Sequence, residues 1–175
     1  KLLLSILPAL LVWNVLSQTP ATKETQRNIL VITAHPDDFE AGVGGTALLL
    51  KDKYKFHILI CTGGDRGLSK NPDPKTVEIR KKEAANAARM VNGELHFLGM
   101  VDQDAYADRK NIDKVVALLK ELDPLMIFTM WNIEVPDHAA VSALARLALT
   151  QTGMIYDRQV YFFEAGRGGQ KIGRA

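Results

Sequence analysis

The chain has 175 residues, 47% hydrophobic and 24% charged, with a net charge of +2, enough for one domain with a hydrophobic core. The near-neutral balance and the scattered basic residues, with no stripe interleaved with aromatics, give no argument for a nucleic-acid surface, and none is expected. The single cysteine, Cys61, excludes an intrachain disulfide and lies inside the apolar run FHILICT, where a buried thiol is the expected state.

In chain order, Lys1 is followed by an apolar run from Leu2 to Leu16 and then by small polar residues near Ser17–Ala21. That layout predicts a secretory signal over residues 1–21 and a secreted or periplasmic protein, with an uncleaved anchor as the alternative. Residues 22–27 read as a linker, and 28–175 as a single domain. Short apolar runs predict strands at Ile29–Ala34, Phe56–Thr62, Glu94–Leu98, Leu125–Met130 and Val160–Glu164. Helical spacing predicts helices at Ala41–Lys53, Lys75–Asn92, Asn111–Leu122 and His138–Thr150. Asn92-Gly93 and Asp123-Pro124 supply stop signals for two of them. Strands alternating with helices predict an α/β fold, a mostly parallel sheet with helices on both faces. The unpatterned stretches Gly63–Pro74, Gly99–Lys110 and Trp131–Asp137 each follow a strand, so they fall at the carboxyl edge of the sheet, where ligands bind.

The first strand runs directly into HPDD, residues 35–38. Helix capping accounts for one of the two aspartates, but not for His35. An imidazole and a carboxylate three residues apart across a proline turn can converge on one cation, and zinc accepts that N/O mixture. A third ligand is expected at another strand end. His57 lies at the wrong end of its strand and His96 in mid-strand, whereas His138 follows the fourth strand and opens a helix. If the first and fourth strands are neighbours, His35, Asp38 and His138 form a two-histidine, one-carboxylate metal site. Asp37 is then free to act as general base. Gly42-Val43-Gly44-Gly45-Thr46-Ala47 also satisfies a dinucleotide fingerprint, but it begins too late after the strand and no acidic residue ends the second strand. These glycines read instead as close packing at a helix start.

Ala34-His35-Pro36-Asp37-Asp38 with Glu40 and Gly44-Gly45, followed by Pro136-Asp137-His138, resembles the PIG-L (LmbE-like) family of metal-dependent N-acetylglucosaminyl deacetylases. The resemblance spans Asn28 to about Glu164. It implies a Rossmann-like three-layer fold and hydrolysis of an N-acetyl group from an amino sugar or glycoconjugate. The cofactor it implies is Zn2+, with another divalent metal such as Fe2+ the alternative. Carried onto this chain, it implies that His35, Asp38 and His138 bind the metal and that Asp37 is the base. Arg80, in R-x-x-E with Glu83, would lie near the sugar or form a helix ion pair. Asp102 would meet substrate hydroxyls, and Asp65 and Arg66 would lie in a substrate-facing loop or a solvated turn. The partner implied is an amino-sugar substrate, with no nucleic acid and no membrane insertion after signal cleavage. Many members carry a further histidine where Val135 stands, and most extend beyond an ending such as AGRGGQKIGRA, so a fragment, and a catalytically weakened, metal-containing carbohydrate-binding protein or a hydrolase of another amide, are the alternative expectations.

Overall fold

The computed structural model describes residues 26–67 and 73–165. The expected signal, most of the linker and the basic tail lie outside the described residues. Five strands form one sheet: β1 (Arg27–Thr33), β2 (Tyr54–Thr62), β3 (Glu94–Met100), β4 (Met126–Met130) and β5 (Gln159–Phe163). All pairings are parallel, in the order β3-β2-β1-β4-β5. The expected α/β architecture is therefore present, with β1 and β4 adjacent at the point where strand order reverses.

The helices are α1 (Asp38–Gly42), α2 (Gly44–Leu50), α3 (Pro74–Met90), α4 (Arg109–Leu122), α5 (Pro136–Thr152) and α6 (Met154–Asp157). Alternate residues of β1 point to opposite faces, as strand geometry requires. Leu30 and Ile32 join a core with Val115, Leu119, Val141 and Leu144 of α4 and α5. Ile29 and Val31 join a second core with Phe39, Ala47, Ala84 and Ala88 of the helices on the other face. A strand covered on both sides must be apolar throughout, and this explains the unbroken run ILVI.

Most boundaries shift by one or two residues from expectation, and two helix ends differ in kind. The single helix predicted over Ala41–Lys53 is two short helices that start earlier and break at Val43, with φ −124°. Gly42, Gly44 and Gly45 are poor helix formers, and a Cβ on Gly42 would lie 2.1 Å from the Phe163 ring of β5. The close-packing reading thus applies at Gly42 but not at Gly45, which has open space around it. At the end of α3, Asn92 rather than Gly93 takes the left-handed conformation, φ 52°. Asn92 N donates to Arg89 O and Gly93 N to Ala88 O, the paired bonds of a Schellman ending.

Candidate metal centre

The turn after β1 positions the first two residues. Asp37 is the residue before α1, yet its side chain makes no capping bond, and its backbone sits at φ 145°. That conformation costs a residue with a Cβ about 1–3 kcal/mol and is found where a site over-determines the chain. Its effect is to separate the two aspartates. Asp38 turns inward, 4% exposed, and its Oδ2 accepts from Ala34 N at 3.0 Å and His35 N at 2.7 Å. Asp37 turns outward, its carboxylate 2.8 Å from Arg80 Nη2. Neither caps α1.

The β4–α5 turn supplies the third residue. His138 Nε2 lies 3.2 Å from His35 Nδ1 and 3.3 Å from Asp38 Oδ1, while His35 Nδ1 lies 3.6 Å from Asp38 Oδ2. Ligands at roughly 2.0–2.1 Å around a tetrahedral ion stand about 3.3 Å apart, so these spacings fit a zinc-sized cation. His35, Asp38 and His138 could hold a metal, with ligand atoms within 4.8 Å of one another.

The far ring nitrogens point to the same arrangement. His35 Nε2 lies 3.2 Å from both Asp102 Oδ1 and Asp137 Oδ2. His138 Nδ1 contacts Glu134 Oε2. Each imidazole therefore donates one N–H to carboxylate and turns its other nitrogen toward the shared centre, as metal-bound histidines do. Burial alone would lower the His35 pKa, but the carboxylates of Asp38, Asp102 and Asp137 reverse this and raise it to about 9. Burial likewise works to lower the His138 pKa, and Asp38 and Glu134 outweigh it, so that it too is raised. Burial pushes Asp38 up, yet His138 and His35 hold it well below the usual carboxylate range. Four carboxylates around two imidazoles form a concentrated negative site that is satisfied by protons or by a cation.

The residues assigned by resemblance are placed as follows. Arg80 turns away from Glu83: its Nη1 donates to Gly64 O at 2.9 Å and its Nη2 to Pro36 O at 2.7 Å, besides meeting Asp37. It clamps the β2–α3 loop to the HPDD turn. Asp102 is 3% exposed, and its Oδ2 accepts from Arg66 N at 2.7 Å and Gly67 N at 3.3 Å. Its carboxylate supports His35 and the loop, whereas the resemblance implied contact with substrate hydroxyls. Asp65 lines a cleft of about 260 Å³ with Thr62, Lys81, Phe97 and Met100, on the β2–β3 side of the ligand trio. Arg66 Nε is buried and meets no acceptor among the described residues. His57 and His96, the rejected ligand candidates, lie together at the opposite edge of the sheet. Glu134 was not singled out in the sequence, and Asp137 was named only within the Pro136-Asp137-His138 motif, with no role assigned. The one sequence signal for Glu134 is its place four residues before His138.

The parallel sheet, with histidine and aspartate side chains that could hold a metal gathered at its switch point, defines an α/β protein of the Rossmann-like class. The PIG-L family profile, described as GlcNAc-PI de-N-acetylase, matches residues 30–149, and the chain belongs to that family. The chain is 29% identical over 147 residues to the probable N-acetyl-alpha-D-glucosaminyl L-malate deacetylase 2 of Bacillus cereus, covering 75% of this chain and 67% of that protein. It is 25% identical over 112 residues to the 4-oxalmesaconate hydratase of Pseudomonas putida, covering 59% of this chain and 43% of that protein. Among solved structures, the conserved protein TT1542 of Thermus thermophilus matches with a TM-score of 0.68 and 27% identity, over 83% of this chain and 69% of that one. The chain thus spans less than the full length of each of these relatives. No helix among the described residues is long and apolar enough to cross a membrane.

Proposed function

We propose that this chain carries a zinc-dependent amide hydrolase that removes an N-acetyl group from an N-acetylglucosamine-type sugar or glycoconjugate. The observation that carries the reading is the division of labour in the HPDD turn: Asp38 faces inward with the two histidines while Asp37 faces outward, steered by Arg80. The similarity to a glucosaminyl-malate deacetylase supports the choice of an acetylated amino sugar. The signal-like pattern of residues 1–21 supports, on sequence grounds alone, a location outside the cytoplasm, and extracellular glycans are then the substrates at hand.

His35, Asp38 and His138 would hold the ion, Zn2+ by their N/O donor set, with Fe2+ the alternative. When bound, such an ion supplies Lewis-acid chemistry, polarising an amide carbonyl and lowering the pKa of water. Asp37 takes the proton from the attacking water. Its pKa is raised above the usual carboxylate value, because desolvation outweighs the nearby Arg80 guanidinium, and this suits a base that must later give its proton to the leaving amine. Arg80 fixes the carboxylate's direction. Val135 offers no side-chain hydrogen-bond donor where the family resemblance implies a histidine, so a side chain there does not stabilise the oxyanion, and a slower turnover is expected.

The test is acetate release from N-acetylglucosamine, short chitooligosaccharides and an N-acetylglucosaminyl conjugate, using zinc-loaded protein beside Asp37→Asn. A rate lowered about 10²–10⁴-fold in the variant, with metal content unchanged, is the expected result. Metal retention without acetate release from any of them would favour the second reading, a sugar-binding protein weakened by Val135. Absence of bound metal in freshly loaded protein would refute both.

A further inference from the structure

A second group of ligand-type side chains lies at the amino edge of the sheet, away from the His35 cluster. The parallel register sets His57 opposite Glu94 and Leu59 opposite His96. Residues two apart on a strand share a face, so His57, Glu94 and His96 project from the same side. His57 Nδ1 lies 3.2 Å from His96 Nε2 and 3.5 Å from Glu94 Oε2. All three ligand atoms fall within 4.8 Å of one another. We propose that His57 Nδ1, His96 Nε2 and Glu94 Oε2 form a second divalent-cation site, for a late first-row ion such as Zn2+, that ties β2 to β3.

The support around His57 is what separates this cluster from a chance meeting of surface histidines. Asn28 Nδ2 donates to Leu122 O at 2.6 Å, which fixes the amide so that its Oδ1 faces His57 Nε2 at 3.2 Å. His57 Nε2 therefore carries the proton, and Nδ1 presents its lone pair to His96 and Glu94. An amide-oriented imidazole with a free opposite nitrogen is the outer support that metal-ligating histidines have. His57 is 5% exposed and held in place, whereas the Glu94 side chain is 56% exposed, which leaves an entry path. Lys55 Nζ occupies Glu94 Oε1 at 3.0 Å and leaves Oε2 turned toward His57. The carbonyl of Leu122 belongs to the last turn of α4, whose negative dipole end favours a cation nearby. The competing account is a His96-to-His57 hydrogen bond that closes the strand pair without an ion.

The experiment is calorimetric titration of the full chain with Zn2+ alone, with metal content measured after gel filtration. The wild type is expected to take up two ions, His96→Ala one, Glu94→Gln the second ion more weakly, and Asp38→Asn to keep the His96-dependent ion. Glu94 is exposed at the start of β3, so Glu94→Gln serves even if His96→Ala folds poorly. The affinity for the ion at this site should fall at least about tenfold in Glu94→Gln and rise in Lys55→Gln, which removes the adjacent ammonium. Equal stoichiometry and affinity in the wild type, His96→Ala and Glu94→Gln would overturn the proposal. Loss of the Asp38-dependent ion alone would bear on the proposed hydrolase and would leave this site standing.

Discussion

Glu134 holds His138 from behind, and its other oxygen accepts from Ala165 N at 3.0 Å, so it joins the ligand to the chain after β5. Glu134→Gln keeps the shape but weakens the pull on Nδ1–H, and zinc affinity is expected to fall about 10–100-fold by competition with a chromophoric chelator. The proton on His35 gives a second prediction. Its pKa rises on folding from 6.5 to about 9, so the metal-free protein gains stability that is full below the lower value and is lost as pH rises through about 9. Asp38 shifts the other way, and its contribution is lost on acidification. Melting temperature of the metal-free protein should therefore decline on the alkaline side, and the decline should flatten when zinc replaces the proton at Nδ1. His35, Asp38 and His138 were legible in the sequence because histidine and aspartate at strand ends have few structural reasons to be there. Glu134 and Asp137 were not, since their part depends on which ring nitrogen faces which carboxylate. Asp102 read as substrate-facing because sequence does not reveal that loop amides enclose it.

The β2–α3 loop and α3 act together through Arg80. Gly64 has φ +62°, and a Cβ there would lie 2.1 Å from Arg80 Nη1. Gly64→Ala thus strains the backbone and displaces the guanidinium that steers Asp37. The expected result is a drop in kcat of about tenfold or more, with zinc affinity within about twofold of wild type, because the ligand trio is held by other contacts. An unchanged kcat would mean that Arg80 does not position the base. Periodicity located the strands and the longer helices, since burial on two faces dictates apolar runs and amphipathic spacing. The interruption at Val43 was not read from the sequence, although three glycines flank it; what the sequence hides is that Phe163, from a strand more than a hundred residues later, leaves no room for a Cβ at Gly42. One-turn α6 was missed for a different reason: four residues carry no period.

For the whole molecule, an ion bound to the native state alone adds to stability by mass action. Zinc at 100 times its Kd adds about 2.7 kcal/mol, so exhaustive chelation should lower the melting temperature by several degrees and zinc should restore it. A melting temperature insensitive to chelator would argue that the cluster is satisfied by protons alone. The adjacency of β1 and β4 has a further consequence, for the order in which the molecule assembles. His35 and His138 are separated by 103 residues, and they meet only when the central pair of the sheet has closed. Closing so long a loop is entropically costly and precedes any reward from the contacts it allows. Metal uptake at the His35 cluster is then expected to be a late event in folding, and its rate in a refolding experiment would be a clock for completion of the sheet. A chain still emerging from the ribosome, with β4 not yet made, has His35 and Asp38 in hand but lacks His138, the third member of that cluster.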